Sequence, residues 1–389
     1  MDLRFSPEIE QFRAEVRDFL VKECPPQYCF ETDFDEDDDR WAFAFDLNRK
    51  IGQKRWIGVN WPMEYGGLGK PPIYRAIFME EVDLHGAPLL NAIGWGLAAG
   101  SLLRYGSEEQ KQRFLPPIVK QERYWAEGLT EPDSGSDLAS LKTTAVRDGD
   151  DWVINGQKTF TTWGHRMEVL YLAARTDPNV PKHKGITIFC LDLKSRGVSM
   201  QPMMNMAGGR QNHTFLDNVR VPNDMMVGEM NQGWQCIMNA FYGGGGGGGA
   251  GKLRRVFGRL VEYCKETKRN GKPMSQDPVI RLKLTDLAIR LETLKMIGWD
   301  GLYRLEHQAP PQFGGALGVV VYKEFFPYFG QTCMEILGPL AQLQEGGKWA
   351  PLAGEVEHVF RQSYGNHAGG TSQVKRMVLA TRGLGLPRG

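Results

Sequence analysis

What most constrains this chain is that its hydrophobic period changes twice along its length. Up to about residue 122 the apolar residues recur at helical spacing. Ile9, Phe12, Val16, Phe19 and Leu20 fall at i, i+3, i+7, i+10 and i+11, one face of a helix. Further helices are expected over 74–84, 89–105 and 108–119, the last ending near Pro116-Pro117. After that the pattern becomes short β-rich runs bounded by Gly, Pro and Asn, at 152–158, 169–175, 186–193 and 214–221. Asn155-Gly156 reads as a hairpin turn. From about 233 the helical period returns. Leu284, Leu287, Leu291 and Leu294 step 3, 4, 3, as in a bundle seam. A second long helix is expected over 317–337, kinked or split at Pro327. A loop over 346–354 and a final helix over 372–381 complete the pattern. The fold class expected is α+β, mainly α: a helical domain over 1–122, a middle β-barrel or sheet domain over 123–232, and a C-terminal helical bundle over 233–389. A parallel α/β domain does not fit short, closely spaced strands.

Charge and composition narrow the function. Lys+Arg and Asp+Glu number 47 and 46 among 389 residues, so no single-sign field is available to hold nucleic acid or an anionic membrane. No apolar run approaches the roughly 18 residues of a membrane span. The first sixteen residues lack the apolar core of a signal peptide, and a cytoplasmic location is expected. The six cysteines, Cys24, Cys29, Cys190, Cys236, Cys264 and Cys333, show no metal-ligand pairing and read as reduced, mostly buried thiols. No metal is expected from His165, His183, His213 or His358 either. The acidic stretch Glu31–Asp39 reads as a solvated loop. The methionines near 203–206 and 225–226 read as core or pocket filler.

Two segments could hold a ligand. Leu129-Thr-Glu-Pro-Asp-Ser-Gly-Ser-Asp137 is rich in hydroxyls and free backbone N–H groups. It is either an ordinary capped loop or a polar lip for a planar ligand. Gly156-Gln-Lys-Thr-Phe-Thr-Thr162 places an aromatic among threonines, able to pack on a flat ring and donate hydrogen bonds to its edge, or simply to form a half-buried strand. The seven glycines of 243–249 match nucleotide-loop patterns only trivially, since no strand precedes them and Leu253 follows Lys252.

Taken in order, these segments resemble the acyl-CoA dehydrogenase family over nearly the whole chain. The resemblance rests on NWPMEYGGLG (60–69), RYGSEEQKQRFLPPI (104–118), LTEPDSGSDLASLKTTA (129–145), INGQK (154–158), FLDNVRVPNDMMVGEMNQGW (215–234), ILGP (336–339) and GGTSQVKRMVLATRGLGLPR (369–388). It implies FAD as cofactor and α,β-desaturation of an acyl-CoA thioester. A carboxylate takes the α proton, the β hydrogen leaves as hydride to flavin N5, and the electrons pass to an electron-transfer flavoprotein. Glu127, Leu129 and Thr130 match the segment along the isoalloxazine edge, and Ser136 the residue near the pyrophosphate and the CoA arm. Phe160 stands where the family usually has Trp over the flavin face, and Thr162 where a hydroxyl meets N5. Thr371 and Gln373 match the residues that complete the flavin pocket. The Gly369 N–H matches the donor that holds the thioester oxygen as enolate charge develops, with Gly370 beside it against substrate.

The general base does not carry over. Many members have Glu just before the Gly-Thr motif, where this chain has Gly369. Others place it on the first C-terminal helix, at a position that here is Gly244, inside the glycine run. Glycine cannot be a base, and seven of them in a helix would cost roughly 7 kcal/mol relative to Ala. Three readings stand open: the run stands in for other side chains, with Glu then Arg from 244; it is a native glycine-rich loop in a subunit without the base; or it is engineered. The family's neighbour-reaching Arg and Phe are Thr267 and Asn270 here, with Lys268 or Arg269 as substitute charge or as an ordinary basic turn. Glu335 and Pro339 also depart from the pattern. These departures fit a heteromeric subclass acting on bulky steroid or alicyclic CoA thioesters, so the assembly implied is a homotetramer or α2β2. The alternatives are a non-catalytic partner subunit, or a flavin oxidase or monooxygenase.

Overall fold

The computed structural model describes residues 5–29, 37–243, 250–307, 315–365 and 368–387. The N-terminal layer holds α1 (Pro7–Glu23), α2 (Asp38–Gln53), α3 (Pro72–His85), α4 (Ala99–Tyr105) and α5 (Glu108–Val119). The face predicted for α1 is the one that packs: Val16 and Leu20 are fully buried, with Phe12 and Phe19 against the same cluster. The acidic stretch is not all loop. Asp37 caps α2 by accepting from the Arg40 N–H at 3.0 Å, and Asp38 and Asp39 fill its first turn, where the helix dipole favours negative charge. Residues 31–36 of that stretch lie outside the described residues. The helix expected over 89–105 begins only at Ala92 and passes through one π-turn, Gly94–Ala98, before α4. A Ser107–Gln110 capping box starts α5, which continues through Pro116 and Pro117 to Val119.

The middle layer is one mixed sheet of β1 (Trp125–Gly128), β2 (Thr144–Asp148), β3 (Asp151–Lys158), β4 (Val169–Arg175), β5 (Ile186–Asp192), β6 (Val198–Met204), β7 (Arg210–Pro222) and β8 (Met226–Val227). The order is β6-β7-β3-β2-β4-β5-β8, with β1 pairing in parallel with β4. Period-2 alternation gives the sheet two dry faces. Trp125, Val169, Tyr171, Ile186 and Ile188 pack under α4 and α5, while Leu170, Leu172, Phe189 and Leu191 pack on the other side with Trp41 of α2. Asn155-Gly156 is not the turn. The β2–β3 hairpin closes between Asp148 and Asp151, and Gly156 lies inside β3, where its register with β7 shifts. A Cβ on Gly156 would lie 2.5 Å from the Thr143 hydroxyl and 2.7 Å from its Cα, so close backbone approach, not chain reversal, requires glycine there.

The C-terminal layer comprises α6 (Gly233–Gly243), α7 (Ala250–Glu266), α8 (Pro278–Glu306), α9 (Ala316–Leu337), α10 (Glu355–Tyr364) and α11 (Ser372–Val378). The leucine seam of α8 is buried at Leu287, Leu291 and Leu294. Pro327 does not split α9, which runs unbroken with Phe325, Phe326 and Phe329 buried on both sides of it. Burial of three aromatics outweighs the roughly 3 kcal/mol that an interior proline costs. The basic turn at 267–271 is a small hairpin, Lys268–Arg269 against Lys272–Pro273, and Arg269 donates to the Ile336 carbonyl at the end of α9.

Candidate active site

Two sequence segments meet at the end of β1 and β3. The Thr159 N–H donates to the Thr130 carbonyl at 2.9 Å, and Lys158 Nζ donates to the Leu129 carbonyl at 3.2 Å. Beneath them is a buried ion pair. Lys158, fully buried, reaches Glu131 Oε1 at 2.8 Å, and Glu131 also accepts from the Lys142 and Thr143 N–H groups at 2.6 and 2.8 Å. Burial pushes the Lys158 ammonium down to about 8, against the opposing pull of Glu131. Glu131 is held below the usual range by Lys158 and these N–H donors, which overcome its own burial. The sequence reading did not single this pair out. Its signal was a lysine at a strand position whose alternate neighbours are apolar.

The clamp presents the chain beyond β3 as an outward step. Phe160 has a left-handed backbone, φ 60°, and its ring is 47% exposed. Such a conformation costs a non-glycine residue of the order of 1–2 kcal/mol. It is over-determined by the fully buried Thr161, whose N–H donates to the Asn212 carbonyl at 3.0 Å and whose hydroxyl accepts from Thr214 at 3.0 Å. The Thr162 hydroxyl is exposed and 3.3 Å from the Gln211 amide. On the other segment Leu129 is buried and Thr130 half-buried. Alternation from Trp125 and Leu129 turns Glu127 to the face under α4, where burial pushes its carboxyl up to about 7. Ser136 is exposed, and the nearby Ser134 hydroxyl is buried without a partner.

The third predicted segment is built separately. Gly369 and Gly370 both have left-handed backbones, φ 72° and 97°, and space beyond the Gly369 Cα is open. Thr371 caps α11 by accepting from the Val374 N–H at 3.2 Å, and the Gln373 side-chain Oε1 accepts from the Ser372 hydroxyl at 3.3 Å. Lys323 of α9 donates to the Ala368 carbonyl at 2.7 Å. Burial, then repulsion from Lys375, brings Lys323 down to about 8. Neither lysine was anticipated. No hydrogen bond ties 369–373 to the 129–131 and 158–162 segments among the described residues, and position 244 lies outside them. An open surface cavity of about 780 Å³, lined by Arg104, Arg113, Asp224 and Glu229 among others, contains none of the candidate residues.

The arrangement fits a flat, hydrogen-bonding cofactor. It offers an exposed aromatic ring on a strained, rigidly held backbone, hydroxyls of Thr130 and Thr162 beside it, and a buried unpartnered Ser134 hydroxyl. All six cysteines are free and buried, as expected. Two of them come together in space: Cys24 Sγ and Cys29 Sγ are 3.8 Å apart, with His85 beside them.

Comparison with known proteins places the chain by its three domains. Family models described as acyl-CoA dehydrogenase N-terminal, middle and C-terminal domains match residues 6–122, 126–219 and 231–384. Acyl-CoA dehydrogenase FadE29 of Mycobacterium tuberculosis is 34% identical, covering 100% of this chain and 99% of its own. The solved structure of the ChsE4-ChsE5 complex from the same organism superposes with a TM-score of 0.90 at 30% identity, covering 100% of each chain. A structure described as the Tcur3481-Tcur3483 steroid ACAD gives a TM-score of 0.88 at 30% identity, again over 100% of each chain.

Proposed function

The chain belongs to the acyl-CoA dehydrogenase family, and from that premise we propose that it carries out FAD-dependent α,β-desaturation of an acyl-CoA thioester. The observation that carries the reading is the clamp of Thr130 to Thr159, with Phe160 held exposed beyond it. When bound, FAD supplies the two-electron acceptor for the hydride leaving the β carbon. Glu127, Leu129 and Thr130 would line one edge of its ring system, Phe160 and Thr162 its face and central edge, and Thr371 and Gln373 would close the pocket. Ser136 would sit by the pyrophosphate and the CoA arm.

The chain's own work on the substrate is electrostatic. The Gly369 N–H would donate to the thioester oxygen, Gly370 lying beside it. A backbone donor already fixed by neighbouring structure needs no reorganisation as enolate charge grows, and one such donor contributes about 3–4 kcal/mol of barrier lowering. Both glycines have left-handed backbones, which L side chains disfavour, and the space beyond Gly369 is open, which supports this role. The α proton requires a carboxylate, assigned to position 244 with glutamate there.

The likeness to the ChsE4-ChsE5 complex and to the steroid enzyme supports an assembly with an unlike partner and bulky steroid-type acyl-CoA thioesters as substrates; an α2β2 stoichiometry and an electron-transfer flavoprotein as acceptor complete the proposed reading. The exposed hairpin of Lys268 and Arg269, tied back to α9 rather than projecting as the family's Arg and Phe do, is consistent with a partner completing the flavin site. Anaerobic titration of the complex, co-purified with its paralogue, with steroid-type and linear acyl-CoA esters tests the proposal. Bleaching of the flavin by the bulky esters is expected; a flavin-loaded complex that no ester in the panel bleaches would reject it. A chain that is yellow and reactive alone would reject the heteromer.

A further inference from the structure

Cys24, Cys29 and His85 lie where the N-terminal and C-terminal layers meet, outside the flavin segments. Cys24 ends α1, its N–H donating to the Leu20 carbonyl at 2.9 Å. Pro25 and Pro26 fix the following turn, and Cys29 closes it five residues on. His85 is the last residue of α3, followed by Gly86 in the left-handed region at φ 82°. The three donors therefore come from ends of packed helices and a proline-stiffened turn, with Tyr28 stacked on Phe43 at 3.9 Å beside them. One ligand atom from each lies within 4.8 Å of the others, the only such grouping among the described residues.

We propose that Cys24, Cys29 and His85 form a binding site for a borderline-soft divalent cation of the Zn²⁺ class. The spacing supports this directly. Two thiolates at about 2.3 Å from a tetrahedral zinc ion stand about 3.8 Å apart, and the observed Sγ–Sγ separation is 3.8 Å. A disulfide would need about 2.05 Å. The C-x4-C spacing with a distant histidine is within the range of thiolate–imidazole sites. Thiolates select zinc over magnesium or calcium, which take oxygen. The ring of His85 is already oriented, its Nε2 2.8 Å from the Cys24 carbonyl oxygen, the kind of backbone anchor that fixes a ligating imidazole.

Charge balances as well. Binding releases both thiol protons, so one Zn²⁺ and two thiolates are neutral together, and no oxidant or reductant is required. The charged group facing the site from another element is Arg255 of α7, whose guanidinium lies 2.9 Å from where a Gly86 Cβ would be. It is paired with the buried Glu355 at 2.5 Å. Three protein ligands leave the fourth vertex to water. Such an ion would pin α1 to α3 next to α7, the helix that resumes after the glycine run.

The test uses the full chain in its flavin-loaded complex. After desalting from a Zn²⁺-supplemented buffer, about one zinc per chain is expected by elemental analysis, and Co²⁺ substitution should give tetrahedral thiolate-type visible bands beyond the flavin absorption. Cys29→Ser and His85→Ala should each lower Zn²⁺ affinity by about tenfold or more, whereas Cys333→Ser, at a buried cysteine elsewhere, should not. If the first two variants do not fold, alkylation mapping of the unmutated chain decides. Saturating Zn²⁺ should protect Cys24 and Cys29 and leave Cys264 and Cys333 as they are without metal. Substoichiometric metal, unchanged alkylation, or a Cys24–Cys29 disulfide in freshly purified complex would each overturn the proposal, the last in favour of a redox pair.

Discussion

Replacing Lys158 with Met tests whether the buried ion pair holds the proposed ligand-binding edge of the sheet together. Removing one partner of a buried pair typically costs 3–5 kcal/mol, because the other charge is left uncompensated. Here Glu131 would keep two backbone donors, the N–H groups of Lys142 and Thr143 at 2.6 and 2.8 Å, so the low end, about 3 kcal/mol, is expected. With a urea m-value of up to about 3 kcal/mol/M, the midpoint falls by about 1 M or more. The double variant Lys158→Met/Glu131→Gln removes both charges and should recover more than half of that loss, a coupling of about 1.5 kcal/mol or more. Tryptophan fluorescence reads the transition, since Trp125 and Trp152 lie in the sheet core. The same variant checks the titration. An unfolded lysine titrates near 10.4, but Lys158 is brought down to about 8 by burial. Between those values only the unfolded chain holds the proton, so wild-type stability should rise with pH there, by at most about 3 kcal/mol, and the Met variant should lose that rise. A single variant within about 0.5 kcal/mol of wild type, or a double variant whose cost is the sum of the singles, would refute the reasoning.

Phe160→Asn eases a left-handed residue, so thermal melting of the FAD-free chain should rise by the equivalent of about 1 kcal/mol while flavin binding weakens about tenfold; tighter flavin binding would contradict the assignment. The Glu127 carboxyl, pushed up to about 7 by burial against about 4.3 when unfolded, keeps its proton longer in the folded state. Stability should therefore fall as pH rises from about 4.3 to 7, and Glu127→Gln should remove that slope in urea midpoints; an unchanged slope would place the effect elsewhere. Gly244→Glu should raise turnover by about 10²-fold or more over the chain with glycine at 244, and no change would exclude that position as the base. Sequencing the coding DNA bears on the same residue, since glycine codons across 243–249 would remove glutamate as the native residue there.

Much of the fold was legible because hydrophobic period reports directly on which face is buried. The α1 face, the α8 leucine seam and the limits of β4 needed nothing else. Where the sequence misled, a local rule met a tertiary contact. Asn155-Gly156 carries a turn signal, but the glycine is there to clear Thr143. Pro327 should interrupt a helix, yet the aromatic packing around it holds α9 continuous. Asp38 and Asp39 look like solvated loop until Asp37 is seen as a cap. At the site, the two loop segments could be read from their hydroxyls and aromatic, but their union could not. It depends on the Lys158–Glu131 pair and the Thr159–Thr130 hydrogen bond, which join residues nearly thirty positions apart. The convergence of Cys24 and Cys29 on His85 was hidden for the same reason, since about sixty residues separate them in sequence. No helix among the described residues is long and apolar enough to cross a membrane, matching the absence of any such run in the sequence.

The central claim is that the ring system of FAD lies against Phe160 and Thr130. A high-resolution map of the native complex, purified with its partner and its yellow cofactor retained, measures this most directly. The account predicts planar density packed on the Phe160 ring, with its edge within hydrogen-bond reach of Thr130 and Thr162. Flavin density found elsewhere in the complex, with Phe160 facing water or its own side chains closing the cleft, would contradict it.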